Sequence, residues 1–231
     1  AEPRLVHAAG ALEQWDGQLG PGPLNAQFCA ERAMELAAAS GLGCVAIANT
    51  NHWMRGGTYG WQAAKKGFAF IGWTNTEANM PPWGAKESRL GNNPLVFALP
   101  FGNEAIVLDF AMTQFSYGKM EAAQLEEKAL PYPGGFNKNG KLTNRPEEIL
   151  ESRRALPIGY WKGAGLSLLL DILATVLSAG LSTRELSQQK AEYGVSQVFI
   201  AFSLEKLSNF PAIEKTIGEI VSDFKNAAPD E

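Results

Sequence analysis

The stretch Asn49-Thr-Asn-His-Trp-Met-Arg-Gly-Gly-Thr-Tyr-Gly60 places His52, one of only two histidines in the 231-residue chain, three residues ahead of Arg55. An imidazole can give or take a proton near neutral pH. A guanidinium can hold an anion through two parallel hydrogen bonds. Gly56 and Gly57 permit a tight turn, so both side chains can converge on one small ligand. The run Cys44–Ala48 just ahead has the pattern of a short buried strand, and the polar, glycine-rich residues after it have that of a loop. Open α/β sheets put their ligands at such strand ends, so His52 and Arg55 are expected to face a pocket. The same residues fit equally a structural role in which His52 caps a backbone group and Arg55 is solvated.

A second candidate is Gly159-Tyr-Trp-Lys-Gly-Ala-Gly165, which precedes an apolar helical run. Backbone amides at a helix start, together with Lys162, can seat a phosphate, or Lys162 simply flanks a glycine-rich helix start. It is not a Walker loop, because the Gly-x-x-x-x-Gly-Lys order is absent. No Gly-x-Gly-x-x-Gly follows any expected strand, so a Rossmann site is unsupported. No Gly-x-Ser-x-Gly or Ser/His/Asp set points to hydrolase chemistry.

The remaining classes are narrowed by composition. A net charge of −4 gives no sign of a nucleic-acid binder. His7, His52, Cys29 and Cys44 lack ligand-like spacing, so no metal site is expected. The cysteines are in neither a Cys-x-x-Cys nor a Cys/His cluster, which predicts reduced thiols and a cytoplasmic location. The first ten residues do not have the form of a signal peptide. The apolar region Leu166–Leu181 is interrupted by Asp171 and falls short of the roughly 20 residues of a membrane span, so a buried core helix and no membrane contact are expected.

The elements that must position these residues can be placed in order. Leu5–Trp15 holds strand-like apolar runs. Asn25 is expected to cap a helix from about Ala26 to Ser40, stopped by Gly41 and Gly43. After strand Cys44–Ala48 come a short helix, Thr58–Lys66, and a strand, Phe68–Thr74. Glu77–Asn93 is loop-like and contains Met80-Pro-Pro-Trp-Gly84, where two prolines could stiffen a backbone that holds Trp83 over a ligand, or form a packed surface loop. Leu95–Leu99 and Ala105–Phe110 are joined closely enough for an antiparallel hairpin. Helices are expected over Ser116–Lys128, from Pro146 to Arg153, over Leu166–Ser178 and over Ala212–Lys225, with an excursion at Leu130–Arg145 and a strand at Ser196–Leu204. The whole chain, 1–231, is expected to be one α/β core.

These motifs together resemble the malate/L-lactate dehydrogenase family, the non-Rossmann type that includes sulfolactate dehydrogenase. Asn51-His52-Trp53 with Gly56–Gly60, Leu90-Gly-Asn-Asn-Pro94, Val107-Leu-Asp109 and Lys162-Gly163 keep the family's order. Tyr59-Gly-Trp-Gln-Ala-Ala64, Met80–Glu87 and Phe115-Ser-Tyr-Gly118 extend the match over nearly the whole chain. The resemblance implies an α/β fold with a mixed, largely antiparallel sheet flanked by helices. It implies a reductase of a sugar-like α-keto acid that uses NAD (NADH), in a homodimer with the site near the subunit interface. It places cofactor contacts at Ala105, Ile106, Val107, Leu108, Asp109, Phe110 and Ala111, and at Trp161 and Lys162. Reducing a ketone needs a proton at oxygen, and the keto acid needs a cation for its carboxylate. His52 would orient or polarise the carbonyl, and Arg55 would hold the carboxylate.

The chain departs from the family in lacking its Ser-His-Gly proton donor and its C-terminal Gly-His-Glu. It is expected to begin after the first of these and end before the last. A second class of function therefore stands beside the enzyme: a catalytically inactive ligand-binding or dimerisation scaffold. The aromatic loops around Trp53, Trp83 and Tyr117 are expected at an interface or a ligand.

Overall fold

The computed structural model describes residues 2–228. The chain opens with β1 (Arg4–Ala9), β2 (Leu12–Asp16), α1 (Gly22–Ser40), β3 (Leu42–Thr50), α2 (Gly57–Lys65) and β4 (Phe68–Thr74). A long loop leads to the hairpin β5 (Leu95–Phe101) and β6 (Glu104–Phe110). Then come α3 (Tyr117–Leu125), the two-residue strands β7 (Gly135–Phe136) and β8 (Leu142–Thr143), α4 (Pro146–Ser152), α5 (Trp161–Ser178), α6 (Thr183–Leu186), β9 (Val195–Ser203) and α7 (Phe210–Lys225).

Seven strands form one sheet in the order β1-β2-β3-β9-β4-β5-β6. Only β2 and β3 pair in parallel; the other neighbours are antiparallel. The mixed, largely antiparallel sheet flanked by helices expected from sequence is what the structure shows. Strand alternation sends successive side chains to opposite faces. Val45, Ile47, Phe70, Phe199 and Ala201 therefore pack with α1 and α2. Ala46, Trp73, Leu95 and Val198 pack with Ala164, Leu170 and Ala174 of α5 on the other face. A small third cluster, Met120, Leu130, Ile149 and Ala155, lies under α3 and α4.

Several expectations are corrected. The N-terminal region is a hairpin turned at Gly10, which has a left-handed φ of +61°. Asn25 does not cap α1. Pro23 pre-sets the helical φ of the first turn, the helix starts at Gly22, and the buried Asn25 amide donates instead to the Gly17 carbonyl and to Thr50 Oγ1. The helix does stop at Gly41, whose φ is 92° and whose amide bonds the Ala37 carbonyl.

The helix α5 begins five residues before the expected Leu166, and it is not a buried core helix. One face packs on the sheet, while Leu168, Leu169, Ile172 and Val176 are exposed. Its 18 residues reach a mean hydropathy of 1.3, apolar and long enough by composition to cross a membrane. Asp171 in its middle is tied to Asn75 Nδ2 at 3.1 Å and to the Thr183 amide at 2.8 Å, and these bonds anchor it to the loop after β4 and to α6. The amphipathic α7 is likewise laid on the surface, with Ile220 and Phe224 exposed.

Candidate active site

The loop after β3 is held from three sides. Asn51 Nδ2 donates to the carbonyls of Leu19 and Gly20 at 2.9 and 3.0 Å. The buried Gln197 on β9 donates to the Asn51 carbonyl at 3.0 Å. The start of α1 approaches so closely that a Cβ at Gly22 would stand 2.2 Å from the carbonyl oxygens of Asn51 and His52. Trp53 then anchors the loop in the core. It is 1% exposed, packs edge-on against Phe199 and accepts a bond from Tyr59 Oη through its carbonyl at 2.7 Å. The Trp53 side chain itself therefore belongs to the core and forms no part of an exposed aromatic patch, because burial of a large indole is the stronger demand.

This clamp fixes His52. The Met54 amide donates to its Nδ1 at 3.1 Å, which leaves Nε2 for a ligand and defines it as the protonated nitrogen of the neutral ring. His52 lines a cleft of 560 Å³ together with Glu77, Asn79, Tyr117, Arg153 and Glu192. His52 thus faces a cleft near the end of β3.

Another part of the cleft lining is built from the loop after β4. Asn93 Oδ1 accepts from the Thr76 amide at 3.1 Å, and its Nδ2 donates to the Ser167 carbonyl of α5 at 2.8 Å. The Gly91-Asn-Asn-Pro94 motif is thus a buried clamp between this wall and α5. Next to it, Asn79 Nδ2 donates to Asn92 Oδ1 at 3.2 Å, while Asn79 Oδ1 is buried without a partner. Tyr117 Oη donates to the Asn79 carbonyl, and burial pushes the phenol up to about 12. It stays protonated at neutral pH and acts as a donor.

Two charged residues of the cleft come from segments without any motif. Glu192 precedes β9; its carboxylate accepts from the Glu77 amide at 2.8 Å, and burial raises its carboxyl above the ordinary value although that bond and the nearby His52 pull it back. Arg153 follows α4 in a left-handed conformation with φ 52°. Among the described residues its side chain has no ion pair within 4.0 Å, unlike Arg145 beside Glu147.

Arg55 is not brought into this cleft. Its guanidinium lies 4.9 Å from the centre of the Trp61 ring. The two glycines after it serve packing instead of a turn toward a ligand. A Cβ at Gly56 would meet the Trp53 ring at 2.7 Å, and one at Gly57 the Asp109 carboxylate at 3.0 Å.

The two stretches expected to contact a cofactor are neighbours in space. The end of β6 runs into Met112–Gln114, which pairs with Leu156–Ile158 through the bonds Ile158 N to Met112 O at 2.9 Å and Gln114 N to Leu156 O at 2.7 Å. Ile158 leads into Trp161 and Lys162. Asp109, Phe110 and Ala111 line a depression of 330 Å³ with Ser116, Lys119 and Ile158. Ala105 and Val107 pack inward against the α1/α2 side of the core, and Ile106 and Leu108 are exposed on the outer side of this edge strand.

The start of α5 offers less to an anion than its glycines suggest. The amides of Lys162, Gly163 and Ala164 already bond the carbonyls of Gly159, Ile158 and Tyr160. The Lys162 ammonium, 5.9 Å from the Trp161 ring centre, is the group left for a phosphate. Trp83, about half exposed, packs 4.9 Å from the Tyr160 ring.

A sequence profile of the malate/L-lactate dehydrogenase family matches residues 1–231. A Salmonella newport protein named 2,3-diketo-L-gulonate reductase is 53% identical over 208 residues, which cover 90% of this chain and 62% of the relative. One of the same name from Escherichia coli is 49% identical over 229 residues, 99% of this chain and 68% of that one. The chain thus spans somewhat under two thirds of the length of the Salmonella relatives. Among solved structures, sulfolactate dehydrogenase from Methanocaldococcus jannaschii superposes with a TM-score of 0.85 at 29% identity, over 100% of this chain and 67% of the other. Malate dehydrogenase from Entamoeba histolytica, at 24% identity, shares the fold with a TM-score of 0.93 over 100% of this chain and 68% of the other.

Proposed function

The chain belongs to the malate/L-lactate dehydrogenase family, and on that premise we propose that it is the substrate- and cofactor-binding core of an NADH-dependent reductase of an α-keto acid, with 2,3-diketo-L-gulonate taken to 3-keto-L-gulonate as its reaction. The observation that carries this role is the 560 Å³ cleft lined by both His52 and Arg153, the latter without an ion pair among the described residues. A keto acid needs a donor at its ketone oxygen and a cation at its carboxylate. His52 supplies the first, either as the acid itself or by polarising the carbonyl for another donor. Arg153 supplies the second through its planar fork. Arg55, committed to the face of Trp61, is the other cation near His52 in sequence.

The depression at the end of β6 fits a dinucleotide by its donor set. Lys119 offers a cation for a phosphate, and Phe110 and Ile158 offer apolar contact; Lys162, four residues after Ile158 at the start of α5, is a second cation for the proposed dinucleotide. Asp109 Oδ2 is held by the Gly57 amide at 2.7 Å. A carboxylate there favours ribose hydroxyls over a 2′-phosphate, which supports NADH over NADPH. Bound NADH supplies the hydride; the protein's own residues hold the carboxylate and direct a proton to the ketone oxygen.

A homodimer in the cytoplasm completes the proposal. Its support is the row of exposed apolar side chains on α5, including Leu169, Ile172 and Val176, since apolar patches of this kind mark interaction surfaces, and the two free cysteines, Cys29 and Cys44.

The test is direct. The native full-length protein, mixed with NADH and 2,3-diketo-L-gulonate, should lose absorbance at the nicotinamide band. No loss with this or any other keto acid would overturn the reductase, and retained NADH binding without turnover would identify a ligand-binding scaffold.

A further inference from the structure

The helix α3 presents Tyr117, Glu121 and Gln124 to the cleft. Their spacing, i, i+4 and i+7, puts all three on one side of a helix. Tyr117 is used structurally, through its bond to the Asn79 carbonyl. Glu121 and Gln124 make no side-chain hydrogen bond or ion pair among the described residues and are exposed along this wall. Gln124 also borders the adjoining groove with Lys128 and Arg145, so α3 forms the outer end of the cleft.

We propose that Glu121 and Gln124 on α3, which line the same cleft as Asn79 and Asn92, recognise the hydroxyl-bearing tail of a polyhydroxy keto acid and set the preference for it over short or dicarboxylic keto acids. The assignment rests on the keto-acid reading of the cleft and adds residues that read the substrate's far end. The buried Asn79 Oδ1 has no donor, a costly state that a hydroxyl reaching it through a small shift of the Asn79 side chain would relieve. Glu77, Glu121 and Glu192 bring three carboxylates to a cleft with one guanidinium, Arg153. Carboxylates accept bonds from hydroxyl groups. The same charges repel a second carboxylate, so a dicarboxylic keto acid is rejected by like charge while a monoanionic polyol acid is not.

The experiment compares the native full-length protein with Glu121→Ala/Gln124→Ala and with Glu121→Lys. NADH oxidation is followed with 2,3-diketo-L-gulonate, pyruvate and oxaloacetate, and binding of the unreactive polyol acid L-gulonate is followed by calorimetry. In the double variant the kcat/KM ratio of 2,3-diketo-L-gulonate to pyruvate should fall by about tenfold, as expected for lost hydrogen bonds to a charged group, and L-gulonate should bind about tenfold more weakly. Glu121→Lys should raise the ratio of oxaloacetate to 2,3-diketo-L-gulonate. Both side chains are exposed, so melting temperatures close to that of the parent are expected. Ratios and L-gulonate affinity within about twofold of the parent would overturn the assignment to α3, a difference too small for one lost hydrogen bond. A protein that reduces no keto acid but loses L-gulonate affinity in the variants would refute the reductase and keep the polyol site. One that reduces keto acids with unmoved ratios would refute the polyol site alone.

Discussion

Asp109 Oδ2, at the end of the edge strand β6, accepts a hydrogen bond from the Gly57 amide at 2.7 Å. Gly57 is the first residue of α2, whose Gly56 cap offers no side-chain acceptor. The carboxylate therefore caps α2 from another strand. It also complements the positive end of the helix, and it links the His52 loop to the depression beside β6.

Asp109→Ala should remove this cap and leave the Gly57 amide unpaired, at a cost of about 1–2 kcal/mol. The melting temperature should fall by about 2–8 °C. Asp109→Asn, whose side-chain oxygen can still accept, should recover most of the loss. Thermal unfolding of the two variants checks this; equal losses in both would show that charge, not the accepted bond, is what matters.

Acid stability should depend on Glu13. This buried carboxylate on β2 takes a fork from Arg32, Nε to Oε2 at 2.9 Å and Nη2 to Oε1 at 2.7 Å, and a third bond from Trp15 Nε1 at 2.9 Å. The Arg32 bonds hold its carboxyl below the ordinary carboxylate range, against burial. Because the folded value lies below the unfolded one, the unfolded chain binds more protons in the window between them, and stability rises with pH there. The contribution is complete above the unfolded value and is lost as pH falls through the folded one. Glu13→Gln should therefore cost most at pH 7, about 2–3 kcal/mol. Its deficit should shrink as pH drops below about 4. Denaturant unfolding at pH 7 and pH 3 measures it, and a pH-independent deficit would contradict the account. Glu192 works in the opposite sense: its carboxyl is raised by burial, so its share of stability grows on acidification and partly offsets Glu13.

Much of the scaffold was legible in the sequence because its signals are local. The aromatic and β-branched content of Phe68–Thr74, the hairpin of β5 and β6 and the stop at Gly41 each depend on a few neighbouring residues. The errors arise where a distant element decides. Asn25 has the chemistry of a cap, but Gly17 and Thr50 take its amide inward. Trp53 sits in a motif rich in chemistry, yet Phe199 from β9 makes its slot part of the core. Leu166–Ser178 is apolar on most sides of the helix, Asp171 apart, and hydropathy alone does not tell which face the sheet covers. In the site, His52 was accessible through its loop and strand end. Arg153 and Glu192 were not, since neither has a neighbour whose spacing signals a ligand, and only the chain path brings them to one cleft. Tyr117, Glu121 and Gln124 did carry a signal, the helical spacing of three polar groups on α3.

The cation that binds the carboxylate separates the two arginines. Arg153 lines the cleft with His52, whereas Arg55 lies over Trp61. A hydrogen-bonded guanidinium–carboxylate pair contributes about 1.5–3 kcal/mol per charged hydrogen bond. Arg153→Lys keeps the charge but loses the planar fork, so the keto-acid KM should rise by about tenfold or more. The affinity for NADH should stay close to that of the parent, because Lys119 and Asp109 line a different depression. Arg55→Lys should change the keto-acid KM by less than about threefold; what it loses is stacking on Trp61, worth about 0.5–1 kcal/mol of stability at an exposed site. His52→Ala should lower kcat with either arginine present, since it removes the Nε2 donor. Steady-state kinetics, NADH titration and melting curves on the three variants keep these effects apart. A larger rise in KM for Arg55→Lys than for Arg153→Lys would move the carboxylate site to the Trp61 side of the loop, and with it the direction from which the ketone meets His52.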